Sequence, residues 1–213
     1  MSRHRFRIRF RKQGDLRWIS HRDLLRTLER LFRRAVLQLA MSEGFHPRPR
    51  MSFPSALSVG VEALNEVMEL ELVEDLDASE LLQRLQQHTV EGLEFTKVEA
   101  LAANSPKGRV VSVTYEFPVP ADRREEIAAS IERLLAEDSH WVTRPHDEKS
   151  VEVRQGVQQL KLNGDRVRMQ LAVSQESPAR PREVIAAIGL AGLEDEGHQL
   201  TRTVVQIEES KAQ

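Results

Sequence analysis

Cysteine is absent from this sequence, and its absence excludes several kinds of chemistry. Without thiolates the chain can form no disulfide, bind no cysteine-ligated cluster or zinc ion, and offer no cysteine nucleophile. The P-loop and the GxGxxG, GxSxG and HExxH signatures are missing as well. We therefore expect this chain to hold no metal and no cofactor, and to run no redox chemistry of its own.

Long apolar runs are also missing. No stretch approaches the ~20 apolar residues that span a bilayer, and the first residues lack the apolar core of a signal peptide. We therefore expect no membrane contact and a cytoplasmic location. The 213 residues are 40% hydrophobic and 30% charged, which is typical of a globular protein with a substantial core.

Charged residues are distributed unevenly along the sequence. The first 50 residues contain 14 Lys or Arg and four Asp or Glu, a balance of +10. The remaining 163 residues contain 17 and 29, a balance of −12. Such polarity favours a basic surface for a polyanion, although the two parts could also neutralise each other across an internal interface.

Basic and apolar residues alternate over 3–12, which predicts a half-buried strand. One face would carry Phe6, Ile8 and Phe10, and the other Arg3, Arg5, Arg7, Arg9 and Arg11. In a ferredoxin-like sheet this strand lies beside the third strand, which carries Glu69 and Glu71. The arginines could therefore follow the phosphates of an extended nucleic acid or form cross-strand ion pairs with those glutamates.

A capping box at Ser20 and Asp23 predicts the start of an amphipathic helix over 21–39. Further strands are expected at 50–57, 65–74 and 93–101, and a helix at 78–88. The second half repeats this order, with strands near 109–118, 151–154 and 199–208, helices near 122–136 and 181–190, and a type I′ hairpin at Asn163-Gly164. We therefore predict an α+β protein of two tandem ferredoxin-like (βαββαβ) units, 1–104 and 105–213, joined by a linker at 102–108.

Arginines dominate the first predicted helix and the Gly/Pro-containing loop that follows it. Like charges three and four residues apart repel each other on a helix, and an anion bound against them would relieve that repulsion. We predict that RNA is the partner, because Arg binds phosphate bidentately and stacks on bases. The predicted nucleic-acid-binding residues are Lys12, Arg22, Arg26, Arg30, Arg33, Arg34, Arg48 and Arg50.

Two aromatic residues, Phe45 and Trp18, fall in or near loops and could stack on a base, whereas core packing is the stronger expectation for Trp18. Two alternatives stay open. The basic surface could meet an acidic protein. The chain could also be a metal-independent ribonuclease, in which His21 acts with His46 and a nearby arginine stabilises the transition state.

Between Lys12 and Glu66 the sequence carries a specific motif. Its residues include Gly14, Ser20, His21, Asp23, Ser42, Gly44, Phe45, His46, Pro47, Gly60 and Glu66. This block resembles the radical-SAM-linked protein family, a bacterial domain of unknown function found alone or fused behind a B12-binding-type radical-SAM enzyme. Members of the family often carry Asn at the position of His46, which counts against a catalytic role for that side chain.

The resemblance implies a radical-SAM enzyme as partner. A radical-SAM core needs three cysteines for its cluster, so here a separate chain would supply it. We expect a non-catalytic substrate-binding or adaptor module, directed at RNA, with no catalytic residue of its own unless His21 serves the ribonuclease alternative. The sequence leaves the oligomeric state undetermined.

Overall fold

The computed structural model describes residues 3–102, 104–144, 150–173 and 179–208. The chain divides into two compact units, the first reaching Arg109 and including Glu208, the second formed by Val110–Ile207. This boundary lies five residues beyond the expected one. In the expected linker, position 103 lies outside the described residues, and 104–108 form neither helix nor strand. No described helix is long and apolar enough to cross a membrane.

The first unit is a four-stranded antiparallel sheet with two helices. Its elements are β1 (His4–Lys12), α1 (His21–Arg34), β2 (Met51–Ser52), β3 (Glu62–Leu72), α2 (Ala78–Gln87) and β4 (Leu93–Leu101), with a 3-10 turn at Gly14–Trp18. The strand order is β4-β1-β3-β2, and every neighbouring pair is antiparallel. This order of elements and strands is the ferredoxin-like arrangement that the sequence predicted.

The core of this unit follows from the alternation in β1. Its inward-facing side chains are fully buried and pack with the apolar stripes of both helices. The residues involved are Phe6, Ile8 and Phe10 of β1, Leu24, Leu28, Leu31 and Phe32 of α1, and Leu81 and Leu85 of α2. Because one sheet face is buried in this way, the register of β1 is fixed and its odd-numbered arginines face the other side.

Helix α1 ends at Arg34, so the expected extension to residue 39 is wrong. The backbone amide of Val36 donates to the carbonyl of Arg33 (3.1 Å), and that of Leu37 to Phe32 (3.1 Å). These two bonds form a Schellman motif, with Val36 left-handed at φ 54°. The helical apolar period misled because Leu39, which continues that period, still packs against the core after the helix has ended.

The second strand is also shorter than expected. Only Met51 and Ser52 pair with β3, rather than residues 50–57. Pro54 lacks a backbone donor, which explains why the ladder does not continue. Strand β3 itself begins and ends earlier than the expected 65–74, while α2 and β4 agree with their expected ranges to within one residue.

The second unit repeats the arrangement with one insertion. Its elements are β5 (Val110–Pro118), α3 (Arg124–Ala136), β6 (Trp141–Thr143), β7 (Ser150–Glu152), β8 (Val157–Asn163), β9 (Arg166–Ala172), α4 (Pro181–Ala187) and β10 (Thr201–Ile207). The order β10-β5-β9-β8 matches that of the first unit. The inserted strands β6 and β7 pair with each other in a separate two-stranded sheet. Strand β7 corresponds to the strand expected at 151–154.

The β8–β9 hairpin lies where the sequence predicted it, but its turn is different. Asn163 pairs with Arg166, so the loop residues are Gly164 and Asp165. Of these two only Gly164 has a positive φ, 61°. A type I′ turn needs positive φ at both loop residues, whereas a type II′ turn needs it at the first alone. The loop therefore follows the type II′ pattern.

Candidate nucleic-acid interface

The outer side of α1 is a stripe of exposed arginines. At 100° per residue they project opposite the buried leucines of the same helix. Arg22, Arg26, Arg30 and Arg33, here called the arginine stripe, are all exposed, as is Arg34. The sequence predicted each of these positions from helical spacing alone, because an amphipathic helix of this length fixes both of its faces.

Two of the helix arginines have partners within the first unit. Arg26 forms an exposed ion pair with Asp23 (Nη1 to Oδ1, 3.3 Å). Arg34 donates to the backbone carbonyl of His88 (2.8 Å), the residue that follows the last residue of α2. A carbonyl at a helix end has no partner within its helix, so Arg34 also has a structural task.

Asp23 belongs to the cap of α1. Its backbone amide donates to Ser20 Oγ (3.2 Å), and the Ser20 hydroxyl donates to its carboxylate (2.7 Å). The hydroxyl bond, with the neighbouring charges of Arg26 and Arg22, lowers the pKa of Asp23. The expected capping box is therefore present in modified form, because the carboxylate bonds the hydroxyl of Ser20 and not its backbone amide.

The loop between α1 and β2 is closed at its base. The Ser42 amide donates to the carbonyl of Arg48 (2.8 Å), and the Arg48 amide donates to Ser42 Oγ (3.0 Å). Met41 and Pro49 form a bridge next to this pair. Five residues, 43–47, project beyond the closure, and all of them are exposed. We call residues 42–48 the closed loop.

The base of the closed loop is tied to the sheet. The Arg50 amide donates to the carbonyl of Ala40 (2.8 Å), and the Glu71 amide donates to that of Arg50 (3.0 Å). The Arg50 side chain donates to the Met41 carbonyl (3.2 Å), so it is half-buried, whereas Arg48 is exposed. Arg3, the residue before β1, lies 3.8 Å from the Glu43 carboxylate of the closed loop.

Lys12 is not part of any surface, and its assignment as a nucleic-acid-binding residue is wrong. Its side chain is 1% exposed, because even-numbered residues of β1 face the helices. The ammonium lies 3.3 Å from the carbonyl of Arg17. Glu66 is buried as well, at 2%. The alternation over 3–12 already contained this result, since Lys12 shares the parity of Phe10.

Two of the arginines on the other face of β1, Arg5 and Arg7, form the cross-strand ion pairs that were one of the two alternatives left open by the sequence. Glu69 accepts from Arg5 (Oε2, 3.0 Å), from Arg7 (Oε1, 2.9 Å) and from the amide of Gly108 (3.1 Å). Its side chain is only 6% exposed. Glu71 faces Arg5 in the ladder, yet Glu69 receives both arginines. These arginines are therefore structural cations.

The two candidate catalytic histidines lie at opposite ends of the first unit. His21 starts α1 and packs edge-on against Phe53 (5.1 Å between ring centroids), which itself contacts Phe10 near the end of β1. His46 belongs to the closed loop, which follows the other end of the helix. Helix α1, whose 14 residues extend about 20 Å, therefore lies between them along the chain.

The family motif is likewise divided between these two ends. At the end near His21 its residues build structure: the Gly14 amide donates to Glu62 (3.0 Å) and the Gly60 amide to the Arg17 carbonyl (2.9 Å). Gly14 and Gly60 both have positive φ, 59° and 82°, which favours glycine. At the other end the motif residues form the exposed tip of the closed loop.

Trp18 is 59% exposed, so the expectation that it packs in the core is wrong. The guanidinium of Arg17 lies 4.8 Å from its ring centroid, a cation–π contact. Phe45, at the tip of the closed loop, is fully exposed at 102%.

Among the described residues no group of three or more His, Asp or Glu side chains is placed to hold a metal ion. The cationic side chains of α1 and the closed loop instead suit anions. Arg and aromatic side chains exposed on one unit are the groups that single-stranded nucleic-acid sites use.

No curated protein matches this chain. Among solved structures, an unknown protein from Galdieria sulphuraria matches at 11% identity over 98% of this chain and 99% of that one, with a TM-score of 0.32. The small subunit of acetolactate synthase from Thermotoga maritima matches at 13% identity over 99% of each chain, with a TM-score of 0.27. TM-scores this low do not establish a shared fold, so the ferredoxin-like fold is assigned from the strand order described above.

A family described as an uncharacterized protein conserved in bacteria (DUF2344) matches residues 5–181, which contain the arginine stripe, the closed loop and most of the second unit. The chain belongs to this bacterial family.

Proposed function

We propose that the protein binds RNA through the arginine stripe and the closed loop, and that it presents this RNA to a separate radical-SAM enzyme. In this proposal the chain is a binding module without catalytic residues. The observation that carries the proposal is the row of exposed arginines along one side of α1, continued by Arg48 in the closed loop.

The arginine stripe concentrates one sign of charge where an ordinary exposed helix mixes both. Within α1 only Asp23 and Glu29 are acidic, and Asp23 is already paired with Arg26. Each pair of like charges at i, i+4 costs about 0.2–0.5 kcal/mol, and a phosphate lying along the stripe would reverse the sign of that contribution.

RNA fits this surface better than an acidic protein for two reasons. The cations are all arginines, whose planar guanidinium binds phosphate with two parallel hydrogen bonds and also stacks on bases. The same unit exposes the rings of Trp18 and Phe45, which can stack on unpaired bases. An acidic protein surface would need the cations but not the rings.

The enzymatic partner follows from the resemblance to radical-SAM-linked proteins. Members of that family are found fused to radical-SAM enzymes, and this chain has no cysteine to hold the cluster of such an enzyme. We therefore assign the chemistry to the partner and the recognition of RNA to this chain.

The dependence of RNA affinity on salt tests the proposed surface. Each phosphate contact contributes about −0.7 to the slope of log K against log salt for a single strand. Arg26→Ala combined with Arg30→Ala should therefore flatten the slope by about one to two, measured by fluorescence anisotropy with a labelled single-stranded RNA.

A matched control removes two arginines elsewhere. Arg109→Ala combined with Arg133→Ala makes the same change in net charge at exposed positions outside the proposed surface, so the slope should stay within a few tenths of that of the unmodified protein. Equal slopes for all three proteins, or no RNA binding at low salt, would refute the proposal. Specific cleavage of the RNA without metal, lost in His21→Ala, would favour the ribonuclease alternative.

A further inference from the structure

The side chain of Phe45 is the most exposed large hydrophobic group among the described residues, at 102%. A single exposed apolar residue is common on protein surfaces and needs no explanation by itself. Phe45 differs because hydrogen bonds order the base of the loop that carries it. It lies at the tip of a five-residue projection whose base is closed by two hydrogen bonds between Ser42 and Arg48.

The support continues into the sheet. The Ala40 amide donates to the Glu71 carbonyl (2.9 Å), and Arg50 bonds back to both of these residues through its backbone. The closed loop therefore extends a hydrogen-bonded ladder that begins in β3. A loop closed on such a base loses little backbone freedom when it binds, which favours affinity.

The surroundings of Phe45 indicate the chemistry of its ligand. Arg48 is exposed in the closed loop, and Arg3 reaches the same loop at Glu43. The ring is fully exposed at the loop tip, so its flat faces are open to solvent. A flat, anionic and unpaired ligand, which is a nucleotide of a single strand, fits an exposed ring in a loop that also carries an exposed arginine.

We propose that Phe45 stacks on an unpaired base of single-stranded RNA while Arg48 contacts the adjacent backbone. This inference rests on the proposed RNA-binding function and adds its substrate class: single strands or unpaired loops, not continuous duplex. Bases within a duplex are stacked on their neighbours and offer no free face to the ring.

The test compares three substitutions of Phe45 with a single-stranded 12-nucleotide RNA and a duplex of the same length. Phe45→Ala should weaken binding of the single strand about 5- to 150-fold, the effect of removing one base–aromatic stack of ~1–3 kcal/mol. Phe45→Leu, which keeps an apolar side chain without a ring, should lose affinity similarly. Phe45→Trp should keep it.

Two further readouts separate stacking from other effects. Fluorescence of Phe45→Trp should be quenched by the single strand beyond the response of the unmodified protein, which contains Trp18 and Trp141. The salt slope of Phe45→Ala should equal that of the unmodified protein, because no charge is removed. Unchanged melting temperatures would show that the substitutions leave the fold intact.

The outcomes distinguish this inference from the proposal on which it rests. If Phe45→Ala binds like the unmodified protein while Arg26→Ala with Arg30→Ala flattens the slope, stacking is refuted and RNA binding stands. If Phe45→Leu retains full affinity, or if only capture of a protein depends on Phe45, the ring is an apolar protein contact and stacking is refuted. Absence of RNA binding at low salt refutes both.

Discussion

The carboxylate of Glu69 determines the role of two arginines in the basic strand β1. Glu69 is nearly buried and accepts two arginines and a backbone amide, so its charge is balanced within the first unit. Arg5 also donates to the backbone carbonyl of Ser105. Arg5 and Arg7 are therefore held in place by their own sheet, whereas the arginine stripe and Arg48 are exposed.

Removing this carboxylate should destabilise the protein strongly. In Glu69→Gln the largely buried guanidinium groups of Arg5 and Arg7 lose the carboxylate that both of them contact, and the weaker attraction of Glu71 and Glu99, which face them in the neighbouring strands, remains. Loss of one partner of a buried ion pair typically costs about 3–5 kcal/mol, so we expect a decrease of that size in the free energy of unfolding, measured with urea.

The exposed ion pair between Arg11 and Glu94 provides the control, since its side chains are 46% and 57% exposed. Glu94→Gln should cost less than about 1 kcal/mol because solvent screens such a pair. A cost of that small size for Glu69→Gln would show that the buried arginines do not depend on the carboxylate.

The cap of α1 makes a prediction that depends on pH. Ser20→Ala removes the hydroxyl that lowers the pKa of Asp23, so this pKa should rise towards its ordinary value of 3.8, as measured by NMR titration. The free energy of unfolding should fall by about 1 kcal/mol at neutral pH, the typical cost of a lost cap. Ser58→Ala, at an exposed serine outside the helices, should change neither quantity.

The sign of the pH dependence follows from the direction of the shift. A carboxyl whose pKa is lower in the folded protein stabilises it above the unfolded pKa, and this stabilisation is lost as pH falls through the folded pKa. The difference between Ser20→Ala and the unmodified protein should therefore shrink in acid. A difference independent of pH would mean that the hydroxyl acts only through the backbone amide of Asp23.

At the scale of the element, α1 ends without the residue that usually ends helices. Glycine is preferred at the left-handed position of a Schellman motif, because any Cβ is crowded there. Val36 occupies it at φ 54°, and its β-branched side chain is 75% exposed. The need to return Leu37 to the core outweighs the local strain.

Val36→Gly should therefore raise the free energy of unfolding by about 1 kcal/mol, because glycine adopts the left-handed conformation without steric cost. Thermal or urea unfolding measures the change. Val36→Ala is the control: it keeps a Cβ, so its effect should be smaller than that of glycine. A destabilised glycine variant would indicate that the exposed valine side chain makes contacts that matter to the fold.

At the scale of the whole molecule, the proposal joins an RNA surface to an enzyme on another chain. The full-length protein should retain a cluster-containing radical-SAM enzyme from cell extract after treatment with ribonuclease, detected by its iron content and by mass spectrometry. Contact with the enzyme need not involve the arginine stripe, so Arg26→Ala with Arg30→Ala should retain it as well. Loss of the enzyme on ribonuclease treatment would mean that RNA alone connects the two proteins.

The sequence by itself determined the features that depend on local periodicity. Alternation fixed β1 and its two faces. The capping motif at Ser20 and Asp23 fixed the start of α1, and helical spacing fixed its arginine stripe. The positions of α2 and β4 and the order of elements in both units followed from the same kind of pattern. These features are local because each element must bury one continuous face against the rest of its unit.

Only the tertiary structure decided which cations are available. The pairing of Glu69 with Arg5 and Arg7 joins residues more than 60 positions apart, and strand register, not composition, brings them together. The exposure of Trp18 and Phe45 and the separation of His21 from His46 were decided in the same way. Local patterns specify the face of an element on which a residue lies, whereas long-range packing determines which residues contact it.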